Sequence, residues 1–354
     1  MKRQSRTVLV RGVPIGGGNS VTVQSMLNTH SEDREACLKQ LKQLEENGCE
    51  IVRMAVNSMT AVSTMHYLLE RTKLPIVADI HFDYKLALEA AEAGASKIRI
   101  NPGNIGDSRR VEAVAKACAD RHIPIRIGIN SGSLEKEALR KYGAPTAEAL
   151  AESALINAAQ LEKFGFTDIV LSVKSSDVVT MIKANRILAE KKDYPLHLGV
   201  TETGTGERAL VKSAVGIGSL LADGIGDTVR VSLSDDVVKE VSAAKTILQT
   251  LGLRNGINLI SCPTCGRTRF DLIGKAKELQ TELDKIQCSR RINVALMGCI
   301  VNGPGEASEA DVGAAGAGDE AIIFRKGKTV RRIPCDRIVQ ELTEEVKKIA
   351  NGEQ

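Results

Sequence analysis

The sequence predicts an α/β protein, a (β/α)8 TIM barrel followed by a small α+β domain organised around cysteines. Three observations carry this. Short β-rich runs alternate with amphipathic helical stretches from residue 21 to about 250, the runs number eight, and past "LGLRNGIN" the pattern changes to strands that end in cysteine. A length of 354 residues suits two domains on a prior of about 150 residues each.

The eight runs are "VTVQSM" (21–26), "IVRMAV" (51–56), "PIVADI" (75–80), "KIRIN" (97–101), "PIRIGI" (124–129), "DIVLSV" (168–173), "LHLGV" (196–200) and "TVRVSL" (228–233). Segments such as "EACLKQLKQLEENG" and "YKLALEAAEAG" separate them, several closed by the glycine that caps helix C-termini. Strand–helix alternation means parallel βαβ units, because parallel neighbours need a crossover. Eight units match a closed barrel better than an open sheet. The barrel is placed at 1–250, with "TVLVRGVPIGGGNSVTVQ" supplying a hairpin that covers its floor.

Strand polarity says more than strand number. Side chains alternate, so one parity meets the helices and the other points inside. In "KIRIN" Ile98 and Ile100 take the outer parity, and Lys97, Arg99 and Asn101 the inner. "PIRIGIN" sends Ile125, Ile127 and Ile129 outward, with Arg126, Gly128 and Asn130 inward. The same rule aims Arg53, Asp79, His81, Ser172, Lys174, His197, Arg230 and Ser232 at the interior. A single charge near a strand end is normally a solvated rim residue. Six cations on one parity against one acid are not, because buried like charges cost several kcal/mol each unless an anion neutralises them. The implied ligand is small and multiply anionic, most simply a phosphate or diphosphate ester bound at the strand C-termini. The inward polar residues, Lys97 excepted, form the candidate substrate-binding set.

After the seventh strand, "TETGTGERA" holds a G-x-G-x-x-A from Gly204 to Ala209. Late in a barrel it lacks the early βαβ context of a dinucleotide site, and it reads as a loop before a helix. Glu202 is the candidate catalytic residue. At the barrel mouth it reads either as an acid–base group or as a helix-start carboxylate favoured by the dipole.

Composition excludes several classes. Aromatics are 3% and tryptophan is absent, against the stacking platforms of single-strand nucleic-acid binders. Lys and Arg total 48 against 44 acids, so a net charge of +4 carries no polyelectrolyte signal. "MKRQSRTVLVRG" begins basic, but Arg11 breaks its apolar run well short of a signal-peptide core. No stretch approaches the roughly 18 apolar residues of a membrane span. Eight cysteines in such a chain read as thiols or metal ligands in a reducing compartment, so the expectation is a cytoplasmic protein.

The second domain is placed at 259–354. "NLISCPTC" and "INVALMGC" read as strands that deliver Cys262, Cys265 and Cys299 at or just past their ends. A helix near 270–287, a hairpin over "FRKGKTVRR" and a final helix near 335–350 complete it. C-P-x-C-G also begins zinc ribbons, but a ribbon wants a second C-x-x-C or a Cys/His pair. Glu306 stands seven residues past Cys299. Three soft thiolates and one hard, exchangeable carboxylate suit a [4Fe–4S] cluster with one iron open to substrate.

"SCPTCGRT" followed by "MGCIVNGPGEASEAD" resembles the paired signature of the 4-hydroxy-3-methylbut-2-enyl diphosphate synthases of the non-mevalonate isoprenoid pathway. The likeness continues through "PIGGGNSVTVQSM", "VADIHFD", "KIRINPGNIG", "LSVKSSD", "LGVTETG" and "GIGDTVRVSLS", nearly the whole chain. It is similar to the bacterial two-domain form. The resemblance implies that Cys262, Cys265, Cys299 and Glu306 ligate the cluster and that Glu202 protonates a departing hydroxyl. The implied reaction is reductive ring opening of 2-C-methyl-D-erythritol 2,4-cyclodiphosphate, with flavodoxin or ferredoxin as electron donor. A non-redox phosphate-ester lyase or pterin-type synthase barrel with a structural zinc ribbon is the alternative, told apart by bound metal. A zinc-ribbon nucleic-acid module runs against the balanced charge and scarce aromatics.

Reach bears on assembly. The eighth helix returns to the barrel floor, and a connector at 251–258 spans at most about 28 Å, little more than the length of about 22 Å expected for the helix itself. The expectation is a homodimer in which each cysteine domain covers the partner's barrel, as the resemblance also implies.

Overall fold

The computed structural model describes residues 2–268, 270–301, 305 and 307–353. The chain divides into two units, one through Leu251 and one from Gly252.

In the first unit, β1 (Val8–Val10) and β2 (Val13–Ile15) form an antiparallel hairpin. Then come β3 (Thr22–Met26), β4 (Ile51–Ala55), β5 (Ile76–Asp79), β6 (Lys97–Ile100), β7 (Ile125–Asn130), β8 (Ile169–Lys174), β9 (His197–Leu198) and β10 (Thr228–Val229). Their order is β8-β7-β6-β5-β4-β3-β10-β9. A parallel bridge between Leu171 and Leu196 joins β8 to β9 and closes the ring, with the Leu171 N–H donating to Pro195 O at 2.9 Å. Helix starts are set by side-chain caps, with Asp33, Ser58, Asp83, Asp107, Asp177 and Asp236 each accepting from a first-turn N–H. Each such cap stabilises by about 1 kcal/mol.

The alternation does what the sequence predicts. Val52, Met54, Ile98, Ile100, Ile125, Ile127 and Ile129 are buried in the layer between strands and helices. At the floor, Val10 and Ile15 of the hairpin pack with Ile51 and Val77, an apolar plug one layer below the inward charges. The last two strands are shorter than the runs that announce them. "LHLGV" and "TVRVSL" ladder over two residues each, because beyond Leu198 the ring opens around Lys174 and Arg230. At Gly199 a Cβ would lie 2.6 Å from Arg230 O and 2.8 Å from Lys174 Nζ.

The second unit carries one sheet among the described residues: β11 (Gly256–Ser261), β12 (Arg291–Met297), β13 (Val312–Ala317), β14 (Glu320–Arg325) and β15 (Lys328–Pro334), in that order. The first three are parallel and the last two antiparallel to their neighbours. Helices Leu272–Leu283 and Ile338–Ala350 bury Leu279, Leu283, Leu342 and Val346 against it. The strand β13 is absent from the sequence expectation. Its "VGAAGA" has little β propensity, and pairing on both edges is what makes it a strand. Strand β11 starts at Gly256, so the connector after helix Val237–Thr250 is residues 251–255, shorter than expected. No helix among the described residues is long and apolar enough to cross a membrane.

Candidate active site

A cavity of about 120 Å³ opens at the C-terminal ends of the barrel strands, lined by Arg53, Asp79, His81, Arg99, Arg126, Gly128, Asn130, Ser172, Lys174, Thr201 and Arg230. Nine of the twelve candidate substrate-binding residues thus face one space. Parallel register brings them level: Asp79 pairs with Arg99, Arg99 with Arg126, and Asn130 with Lys174. The remaining three sit just outside the lining. Asn101 is buried at the end of β6, His197 is fully buried on β9, and Ser232 accepts from Arg230 Nη1 at 2.9 Å.

Asp79 is the electrostatic hub. Its Oδ1 accepts from Arg99 Nη1 at 3.0 Å, and its Oδ2 lies 3.7 Å from Arg53 Nε and 3.5 Å from His81 Nε2. Arg99 Nη1 also approaches His81 Nε2 at 3.0 Å, and its Nη2 donates to Gly128 O at 3.1 Å. A Cβ at 128 would stand 2.4 Å from Arg99 Nε, so any larger residue there has to displace that guanidinium. Burial pushes the Asp79 carboxyl up, but Arg53, His81, Arg99 and Arg126 together outweigh it and hold the group well below the usual carboxylate range.

Asp79 and the buried Glu240 that pairs with Arg230 do not satisfy this many cations. Burial, opposed by Asp79 and reinforced by Arg230 and Arg99, lowers Arg53 to about 10. Burial and then Arg53 and Arg99 drive Arg126 well below its ordinary value, although Asp79 opposes them. Burial, Arg230, Arg53 and Arg126 do the same to Lys174. A guanidinium keeps its proton, so at Arg126 the depression measures a charge in want of an anion. Nε and Nη1 of Arg126 are buried without a hydrogen-bond partner among the described residues. Burial, reinforced by Arg126 and other nearby cations, pushes the His197 imidazole well below its ordinary value.

Glu202 is exposed beside the cavity, next to the lining residue Thr201, in the left-handed region at φ +54°. Such a conformation costs a non-glycine residue of order 1 kcal/mol and is tolerated where surroundings enforce it. They do here. Thr203 Oγ1 donates to Ser232 O, and Ser234 N–H donates to Gly204 O at 3.0 Å, tying the loop after β9 to the loop after β10.

In the second unit, parallel pairing of β11 and β12 brings their C-terminal ends together. Cys262 follows β11, and its Sγ accepts from Gly298 N–H at 3.2 Å, next to Cys299. Cys265 is exposed. Its thiol is lowered, chiefly by hydrogen bonding to Arg267 N–H and further by that residue's guanidinium, against a smaller burial effect. Among the described residues no three of His, Cys, Asp and Glu converge to metal-binding distance. Glu306 lies outside the described residues. The donor set fits a thiophilic group in type: three thiols in the loops that follow two adjacent strands, with a backbone N–H already directed at one sulfur.

Comparison with known proteins decides the family. The family model described as "GcpE TIM-barrel domain" matches residues 5–245, and "GcpE protein C-terminal domain" matches 258–348. The chain belongs to the GcpE family.

Relatives of this GcpE chain include the 4-hydroxy-3-methylbut-2-en-1-yl diphosphate synthase (flavodoxin) of Clostridium perfringens, 54% identical over 96% of this chain and 97% of the relative. The Geobacillus kaustophilus protein of the same name is 52% identical over 99% of this chain and 93% of its own. Among solved structures, a 7,8-dihydropteroate synthase from Vibrio fischeri superposes with a TM-score of 0.51 at 14% identity, covering 70% of this chain and 99% of that one. That likeness shows the barrel fold alone.

Two residues of the site, one in the cavity lining and one behind it, escape sequence reasoning about this GcpE chain. Thr201 lines the cavity one residue before Glu202. Glu240, 1% exposed on helix Val237–Thr250, accepts from Arg230 Nη2 at 2.9 Å, from Ser25 Oγ at 3.0 Å and from Leu233 N–H at 3.0 Å. In sequence Glu240 is an ordinary first-turn helix acid. A polar residue on the helix face that carries Val237, Val241 and Ala244 is the one available signal.

Proposed function

We propose that this chain reduces 2-C-methyl-D-erythritol 2,4-cyclodiphosphate to (E)-4-hydroxy-3-methylbut-2-enyl diphosphate and water. The observation that carries the reading is the excess of buried cations around one small cavity, which asks for a compact polyanion. The names of the relatives support the same chemistry. Two electrons and two protons enter, the ring C–O bond to the diphosphate breaks, and one hydroxyl leaves as water.

In this reading Arg53, Arg99, Arg126, Lys174 and Arg230 hold the diphosphate. They also stabilise the charge that grows on its oxygen as the ring opens. Asp79 and Glu240 hold Arg99 and Arg230 in position before substrate arrives, so little reorganisation is needed. Asn101, Asn130, Ser172, His197 and Ser232 complete the set with neutral donors and acceptors. Glu202 supplies the proton that turns the departing hydroxyl into water. A [4Fe–4S] cluster held by Cys262, Cys265, Cys299 and Glu306 would supply the electrons one at a time. Flavodoxin is the electron donor, with ferredoxin the other small carrier of suitable chemistry. Eight free cysteines suit a reducing cytoplasm.

The domain reading follows: residues 1–250 bind substrate and 259–354 hold the cluster. Helix Val237–Thr250 is about 21 Å long, whereas the connector 251–255 extends at most about 18 Å. That shortage supports a homodimer in which each cluster domain completes the partner's barrel.

Anaerobic purification followed by iron, sulfide and zinc analysis tests the reading, together with product analysis on adding reduced flavodoxin and the cyclic diphosphate. Iron with equimolar sulfide and the linear diphosphate are expected. A colourless zinc protein that leaves the substrate intact would overturn the proposal.

A further inference from the structure

Below the cavity the barrel holds polar side chains with nothing to bond. Lys97 on β6 is fully buried, and its Nζ has no hydrogen-bond partner among the described residues. On the same inward parity, Thr22 Oγ1, both polar ends of Gln24 and Nε2 of His197 are also buried and unpartnered there. The register partner of Lys97 is Val77, part of the apolar floor. The amine thus sits between an apolar plug and a cationic pocket.

The charges that act on it are Arg126 and Arg53, while Asp79, Arg99, Lys174 and Arg230 line the cavity above, with His197 on β9 and Glu240 behind Arg230. Without Lys97 the four guanidiniums of Arg53, Arg99, Arg126 and Arg230 already outnumber the two acids. A further buried charge with no hydrogen-bond partner among the described residues is the most expensive state open to this amine, and losing its proton is the cheaper one. Burial, then Arg126 and Arg53, lower Lys97 well below its ordinary value, in agreement. A diphosphate in the pocket reverses the balance, because its negative charge favours an ammonium beneath it.

We propose that Lys97 is a proton-accepting positioning residue, neutral while the pocket is empty and protonated from solvent when a diphosphate occupies the space above it. The inference rests on the proposed function only in requiring that the pocket take a diphosphate. The step forms one N–H bond at Nζ with a proton from water or buffer, and nothing is oxidised or reduced. Binding that takes up a proton strengthens as pH falls, across the interval between the ligand-free and ligand-bound proton affinities of Lys97. A ring-closed diphosphate has two ionisable oxygens and a terminal one has three, so ring opening would hold the proton more firmly.

Isothermal titration of the holoenzyme with inorganic diphosphate, in buffers of different ionisation enthalpy at one alkaline pH, counts the protons exchanged. Lys97→Met should take up about one proton fewer per site than the wild type, with a flatter dependence of affinity on pH. A purely structural lysine would change stability and leave the proton count alone, and equal counts overturn the inference. If Lys97→Met does not fold, the 15Nζ signals of lysine-labelled wild type serve instead. One amine signal, retained in Lys174→Met, should become an ammonium signal on adding diphosphate, and no such change overturns the inference. No binding heat in the wild type would remove the pocket reading and this inference together, whereas binding with equal proton counts removes the inference alone.

Discussion

Arg99 Nη1 donates to Asp79 Oδ1 at 3.0 Å inside the barrel, with both side chains 6% exposed. Asp79 is the acid on which Arg53 and Arg99 converge, so Asp79→Asn removes the ion-pair partner of both. Breaking a buried pair from one side costs about 3–5 kcal/mol, and a loss of that size is expected near neutral pH. The Asp79 carboxyl is held below its unfolded value. Its contribution is therefore complete above about pH 4 and fades as pH falls toward the folded value. Urea midpoints should differ at neutral pH and converge in acid. A gap that stays constant into acid contradicts this role for Asp79.

On the proposed function, Arg99→Met and Lys174→Met each remove a charge-assisted bond to the diphosphate. Substrate binding should weaken by about 1.5–3 kcal/mol, roughly 10- to 150-fold. Titration with the cyclic diphosphate measures it. Unchanged affinity would make these residues parts of the barrel frame.

Two glycines separate fold from affinity. At Gly199 a Cβ would meet a backbone oxygen, Arg230 O, at 2.6 Å. Gly199→Ala should therefore cost about 1–3 kcal/mol of stability and also displace Arg230. At Gly128 the new atom would meet the Arg99 guanidinium, a movable end. Gly128→Ala should raise KM with a smaller change in unfolding midpoint. Equal effects of the two on stability would refute the distinction.

Glu306→Ala keeps the three thiolates and removes the carboxylate that the family resemblance places on the cluster. Iron and sulfide per chain should fall on gel filtration in air, and turnover should nearly vanish. Full activity with an unaltered iron spectrum rules the ligand assignment out.

Composite sites can be tested by mixing. A Cys299→Ser chain and a Lys174→Met chain, each inactive alone, should regain activity at one of the two sites of each mixed dimer. Subunits shown by mass to exchange, yet recovering nothing, would place each site within one chain.

The barrel and its cationic interior are legible in the sequence because strand parity is a local property. "KIRIN" and "PIRIGIN" declare their inward Arg99 and Arg126 whatever lies beside them, and the outward isoleucines confirm the phase by their burial. The cysteine stretches are equally plain, since a C-x-x-C and a later cysteine need no neighbour to be noticed. Partnership was not legible. Asp79 becomes a hub only when the β5–β6 register sets it beside Arg99, and Glu240 counts only once helix Val237–Thr250 turns it toward Arg230. The same holds for β13, whose small residues become a strand by filling a slot between two others. Lys97 shows the division most sharply. Its inward parity is written in the chain, but full burial over an apolar floor, with no bonding partner among the described residues, comes from strands far apart in sequence. Side-chain direction follows from the backbone's own period, whereas charge balance depends on distances between segments that only the closed barrel brings together.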